Sequence, residues 1–80
     1  MKLPVIKFLA ENQSLEALKE AEQHLMNAET LNIEVEGADE GEQLTHILGA
    51  IEVLENIQKD NVSLTLALRN FAQRVRKSID

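Results

Sequence analysis

The sequence predicts an all-α fold: a small four-helix domain, with a short N-terminal helix, three longer helices and an extended segment near residues 30–37. Three observations predict it. Apolar residues recur at three- and four-residue spacing over most of the chain. Helix-start signals at Pro4, Ser14, Asp39 and Ser63 stand just ahead of the periodic stretches. A single short run alternates with the two-residue period of a strand.

The elements follow in order. Pro4 suits a first helical turn, where its missing N–H costs nothing. Val5, Phe8 and Leu9 then line one side, with Ile6 beside them, and the helix ends near Asn12-Gln13-Ser14. Ser14 is an N-cap for a second helix from Leu15 to about Glu29, whose apolar face is Leu18, Ala21, Leu25 and Ala28. From Thr30 to Gly37 the helical period is lost. Leu31, Ile33 and Val35 alternate there with Asn32, Glu34 and Glu36. A lone strand leaves its backbone groups unpaired, so the run is an extended loop laid on the core or a strand shared between two chains. The loop is the favoured reading, with residues 30–40 the weakest region of the fold.

Asp39 followed by Glu42 has the form of a capping box and starts a third helix that runs to about Gln58. Its faces carry two apolar stripes: Leu44, Ile47, Leu48, Ile51 and Leu54, and nearly opposite, His46, Gly49, Ala50, Val53 and Ile57. Thr45, Glu52, Asn56 and Lys59 make a narrow polar seam. A helix apolar around most of its circumference is buried around most of it. The first stripe is assigned to the intrachain core and the second to another protein surface. On that assignment Val53→Glu or Ile57→Glu gives monomers of reduced stability. Leu48→Ala costs about 2 to 5 kcal/mol and leaves a dimer. Gly49 permits close approach of another helix. Ser63 caps the last helix, where Leu64, Leu68, Phe71 and Val75 form the apolar stripe, flanked by Ala67, Ala72 and Ile79, and Thr65, Arg69, Gln73 and Arg76 face outward.

Length and composition bound the function. Eighty residues make one domain, 1–80, whose small size leaves stability marginal without outside help. Hydrophobic residues at 44% and charged residues at 28% are globular values, and Phe8 and Phe71 are the only aromatics. The absence of cysteine excludes disulfides and thiolate chemistry, leaving oligomerisation as the common remaining source of stability. No apolar run is long enough for a membrane span, and the start, broken by Lys7, does not read as a signal peptide. A cytoplasmic location is expected. Net charge is −6, distributed as +2 over residues 1–10, −11 over 11–60 and +3 over 61–80. The basic end, with Lys77 among its charges, complements a helix dipole or docks on an acidic surface of a partner or second copy.

Candidate chemistry is sparse. Glu20 with His24, and Glu42 with His46, are spaced four apart and could each place two metal ligands on one helix face. Helical di-iron bundles use Glu three residues before His, where this chain has Ala21 and Gln43. Half-buried histidines are the plainer reading, and no metal is expected. Ser14 and Ser63 have cap roles outside any nucleophile-elbow setting. The pairs Glu34/Glu36 and Glu40/Glu42 belong to a solvated acidic run. Gly37, Gly41 and Gly49 match no phosphate-binding spacing, so no cofactor is expected. Arg69 and Arg76 give the last helix a basic face, and a helix-turn-helix regulator is the alternative function. The acidic total and the lack of an aromatic platform argue against nucleic acid.

Two stretches carry a resemblance. The opening Met1-Lys2-Leu3-Pro4-Val5-Ile6-Lys7 and the closing run from Gly49-Ala50-Ile51-Glu52-Val53 through Asn70-Phe71, Arg74-Val75 and Ser78-Ile79-Asp80 resemble a small all-helical bacterial family of unknown function. They cover about half the chain, and residues 10 to 40 depart from the pattern. The resemblance implies a helical fold and no activity. It also implies relatives beside thioredoxin-type genes, for which a chain without cysteine could supply only an accessory role. The expected protein is a non-enzymatic interaction or accessory module. It is a homodimer or the binder of an unidentified protein partner, with His46, Gly49, Ala50, Val53 and Ile57 as its surface.

Overall fold

The computed structural model describes residues 1–79, with side chains described as far as Arg76. Asp80 and the side chains of Lys77 and Ile79, which the sequence reading gave to the basic end and the apolar stripe, lie outside the described residues. Four helices follow one another: α1 (Leu3–Asn12), α2 (Leu15–Met26), α3 (Glu40–Asp60) and α4 (Leu64–Ile79). No strand occurs among the described residues. The all-α expectation holds, and residues 30–38 are an extended loop on the core.

The starts form where the sequence marks them. Pro4 lies in the first turn of α1. The Ser14 Oγ accepts the N–H of Ala17 at 3.1 Å, and the Ser63 Oγ accepts that of Leu66 at 3.1 Å. At the head of α3 the Asp39 Oδ1 accepts the Glu42 N–H at 2.8 Å, while the Glu42 carboxylate accepts the N–H of Ala38 at 2.9 Å. This is a capping box whose return bond falls one residue early. That bond, the largest influence on Glu42, holds its carboxyl below the usual carboxylate range.

The end of α2 departs from expectation. The helix stops at Met26, and Ala28 adopts a left-handed conformation with φ of 57°. The Glu29 N–H reaches the His24 carbonyl at 2.7 Å and the Ala28 N–H reaches that of Leu25 at 3.2 Å, the two bonds of a Schellman motif. Ala28 is therefore an exposed helix terminator rather than part of the apolar face. Alanine is the strongest helix former, so its identity gives no warning of this role.

The core is organised around α3, which packs against each of the other three helices. Ile6, Leu9, Leu18, Ile47, Ala50 and Val53 are its innermost side chains. At Gly49 a Cβ would stand 2.7 Å from Ile6 Cδ1 and 3.0 Å from Phe71 Cζ. The missing side chain there lets α1 and α4 close over α3. Along the polar seam, the Glu52 carboxylate accepts from Arg74 Nε at 2.6 Å and the Asn56 Oδ1 accepts from Asn70 Nδ2 at 3.1 Å. The seam is thus the polar half of the α3–α4 contact. On another side Lys19 of α2 lies 3.6 Å from Glu55.

Candidate functional site

The second stripe of α3 is not an outer surface. His46 and Val53 are 0% exposed, Gly49 and Ala50 are buried, and Ile57 is half-buried against the core. α1 and α4 cover this side within one chain, as the crowding of Ile6 and Phe71 at Gly49 shows. The interaction surface expected at His46, Gly49, Ala50, Val53 and Ile57 is corrected accordingly: it is intrachain core. Conversely, Leu48, assigned to the core, is 44% exposed. It stands only about 40° around the helix from Glu52, at the border of the seam.

His46 has a structural use that occupies both ring nitrogens. The backbone N–H of Lys2 donates to Nε2 at 3.0 Å, and Nδ1 lies 2.7 Å from the carbonyl of Glu36. Since Nε2 accepts, Nδ1 must carry the hydrogen and donate it. The imidazole thereby joins the start of α1 to the end of the extended segment. His24 acts similarly from the other side: its Nδ1 is 2.9 Å from the Thr30 carbonyl and its Nε2 is 3.7 Å from Glu20 Oε1. Glu20 in turn accepts from Asn32 Nδ2 at 2.8 Å.

Both Glu/His pairs, weighed in the sequence as metal ligands, therefore hold the extended segment. With Gln43 Nε2 donating to the Val35 carbonyl at 2.9 Å, three carbonyls and one amide of residues 30–38 are tied by side chains of α2 and α3. This satisfies backbone groups without a partner strand. Gly37 fits the arrangement because a Cβ there would meet the Gln43 backbone nitrogen at 2.8 Å. Among the described residues no group of three or more His, Asp or Glu side chains is placed to hold a metal ion.

Exposed large apolar side chains occur on every helix: Leu3 and Phe8 on α1, Met26 on α2, Leu48 on α3 and Leu66 on α4. Val5, Ile6, Leu9 and Ala10 turn inward, which leaves Phe8 59% exposed. Pro4, Val5, Phe8 and Leu9 line a shallow groove whose far wall is the extended segment at Glu34 and Glu36. The sequence places Phe8 on one side of α1 with Val5 and Leu9, yet only the latter two are buried. The available signal was the crowding of apolar residues in α1, since Leu3, Val5, Ile6, Phe8, Leu9 and Ala10 exceed what one face of a ten-residue helix can bury. A second, smaller apolar area lies at Met1, Leu48 and Val75, bordered by the paired Glu52 and Arg74.

Arg69 and Arg76 of α4 are exposed, as expected, and neither forms an ion pair among the described residues. Arg74 is engaged differently, by Glu52 and by the Phe71 ring 5.8 Å from its guanidinium carbon. Leu66 is 39% exposed on the same outward side as Arg69.

These features define a small four-helix domain in which both histidines and several capping side chains bond its own backbone. The chain belongs to a family of unknown function (DUF6952), whose model matches residues 1–80. The match runs through residues 10–40, beyond the two terminal stretches that carried the resemblance. No curated protein and no solved structure matches the chain significantly. Among the described residues no helix is long and apolar enough to cross a membrane.

Proposed function

We propose that the protein is a non-enzymatic helical interaction module that associates with a second copy of itself. The observation that carries the reading is the groove on α1, where Phe8, one of two aromatic residues in the chain, is 59% exposed beside Pro4, Val5 and Leu9. A partly wet aromatic in an apolar groove is the kind of anchor that dominates protein interfaces. The small size of the domain supports the same reading, because burial between copies adds stability that 80 residues alone supply sparingly. Neither histidine argues for catalysis, each having a ring nitrogen committed to a backbone carbonyl.

The test is the solution mass by light scattering across micromolar concentrations, for the native chain and for Phe8→Ala. The reading expects a mass above that of one chain, falling towards one chain in the variant with helicity retained. A native chain that stays monomeric throughout contradicts self-association.

A further inference from the structure

The groove on α1 has unspent charge as well as apolar surface. Glu34 and Glu36 stand at its wall, exposed, and neither side chain joins an ion pair among the described residues. Among the described residues, the outward face of α4 carries a matching complement. Leu66, Arg69, Gln73 and Arg76 of α4 follow one another at i, i+3, i+7 and i+10, a single stripe of the helix, and all four are exposed. Their two guanidinium groups are likewise unpaired among the described residues.

We propose that the α1 groove of one copy receives the outward face of α4 from a second copy, with Leu66 against Phe8 and Arg69 and Arg76 on Glu34 and Glu36. The inference rests on the self-association reading and names its surfaces. Spacing permits the pairing. Seven residues of helix separate Arg69 from Arg76 by about 10.5 Å. Alternate residues of extended chain, such as Glu34 and Glu36, are about 6.8 Å apart at the backbone. Long arginine side chains span the difference and suit two-pronged contact with carboxylates. The chain already makes that contact internally, between Arg74 and Glu52.

The other apolar area is a poorer seat for this helix. Its rim charges, Glu52 and Arg74, are already paired with each other, so an incoming arginine finds no unspent carboxylate there. The acidic middle and basic end of the sequence acquire a common purpose in this arrangement: each copy offers one sign and accepts the other.

Charge reversal in two variants tests the pairing. One carries Glu34→Arg with Glu36→Arg, the other Arg69→Glu with Arg76→Glu; all four positions are exposed, so circular dichroism should show unchanged helicity. Each variant alone opposes like charges, and its self-association, followed by sedimentation velocity, should weaken by about tenfold or more. An equimolar mixture opposes unlike charges at every contact and should recover association close to that of the native chain. Raising salt should weaken the native association. A native chain that associates while both variants associate equally well overturns the proposed surfaces and leaves self-association standing. Loss in each variant without recovery in the mixture also overturns them. A native chain that remains monomeric overturns both.

Discussion

α3 and α4 are neighbours in sequence and opposites in use. α3 has apolar residues around most of its circumference, and His46, Ile47, Gly49, Ala50, Ile51 and Val53 are all buried. α4 has one clean apolar stripe, yet only Ala67 and Phe71 of its described side chains are buried, while Leu64, Leu68 and Val75 remain half-covered. The lesson concerns what amphipathicity reports. A helix with little polarity contrast is one that several neighbours surround, and three helices do so here within one chain. A sharply two-sided helix lies at the edge of the domain, where its outer face is free for other work.

The largest expected effect separates the two helices directly. Val53→Glu buries a carboxylate with no partner and should cost more than about 3 kcal/mol in denaturant unfolding, enough to threaten folding altogether. Leu66→Glu on α4, compared at dilutions where the copies are separated, should stay within about 0.5 kcal/mol, because that side chain already meets water in the single chain. Comparable losses at the two positions would break the contrast.

His46→Ala follows in size. It leaves the Lys2 N–H and the Glu36 carbonyl without their present partner and opens a cavity, for an expected loss of about 2 to 4 kcal/mol by thermal or chemical unfolding. Leu48→Ala on the same helix should cost about 1 kcal/mol or less, against the 2 to 5 kcal/mol that a core assignment demands, since the side chain is 44% exposed. A loss of core size there would place Leu48 back inside.

Two smaller effects concern the chain between α2 and α3. Ala28→Gly should stabilise by about 0.5 kcal/mol, because glycine relieves the left-handed conformation while costing more entropy on folding. An unchanged or lower melting temperature would argue against the Schellman end. Glu42 has a folded pKa below its unfolded value, so its contribution is present above the ordinary carboxylate range and is lost as pH falls through the folded pKa. Glu42→Gln should therefore be less stable than the native chain at neutral pH and should converge on it in acid. A constant gap at all pH values would contradict the charge-dependent cap.

Much of the fold was legible locally. Ser14, Ser63 and the Asp39–Glu42 pair announced their helices because capping is written in a few adjacent residues. Gly49 announced a close approach for a similar reason. What could not be read depends on where neighbours sit. Periodicity places Val53 and Leu48 on the same helix at fixed angles, but which of them meets α1 and which meets water is decided by tertiary packing. The same holds for the Glu/His pairs. Their i, i+4 spacing is visible, whereas their partners are backbone groups of residues 30–38 that no side-chain pattern reveals. Those clamps also refine the weak-region expectation: carbonyls are held, while no hydrogen bond from the N–H groups of Leu31 to Gly37 occurs among the described residues, so their exchange should still be fast.

α3 is largely buried within one chain, and the proposed self-association uses exposed surfaces. Thermal unfolding followed by circular dichroism over a dilution series, alongside the mass at each concentration, tests it most directly. The account predicts that dilution separates the copies while the single chain stays helical and still melts cooperatively. Loss of helicity in step with dissociation would contradict it, and would show that the buried stripe of α3 needs a second chain after all.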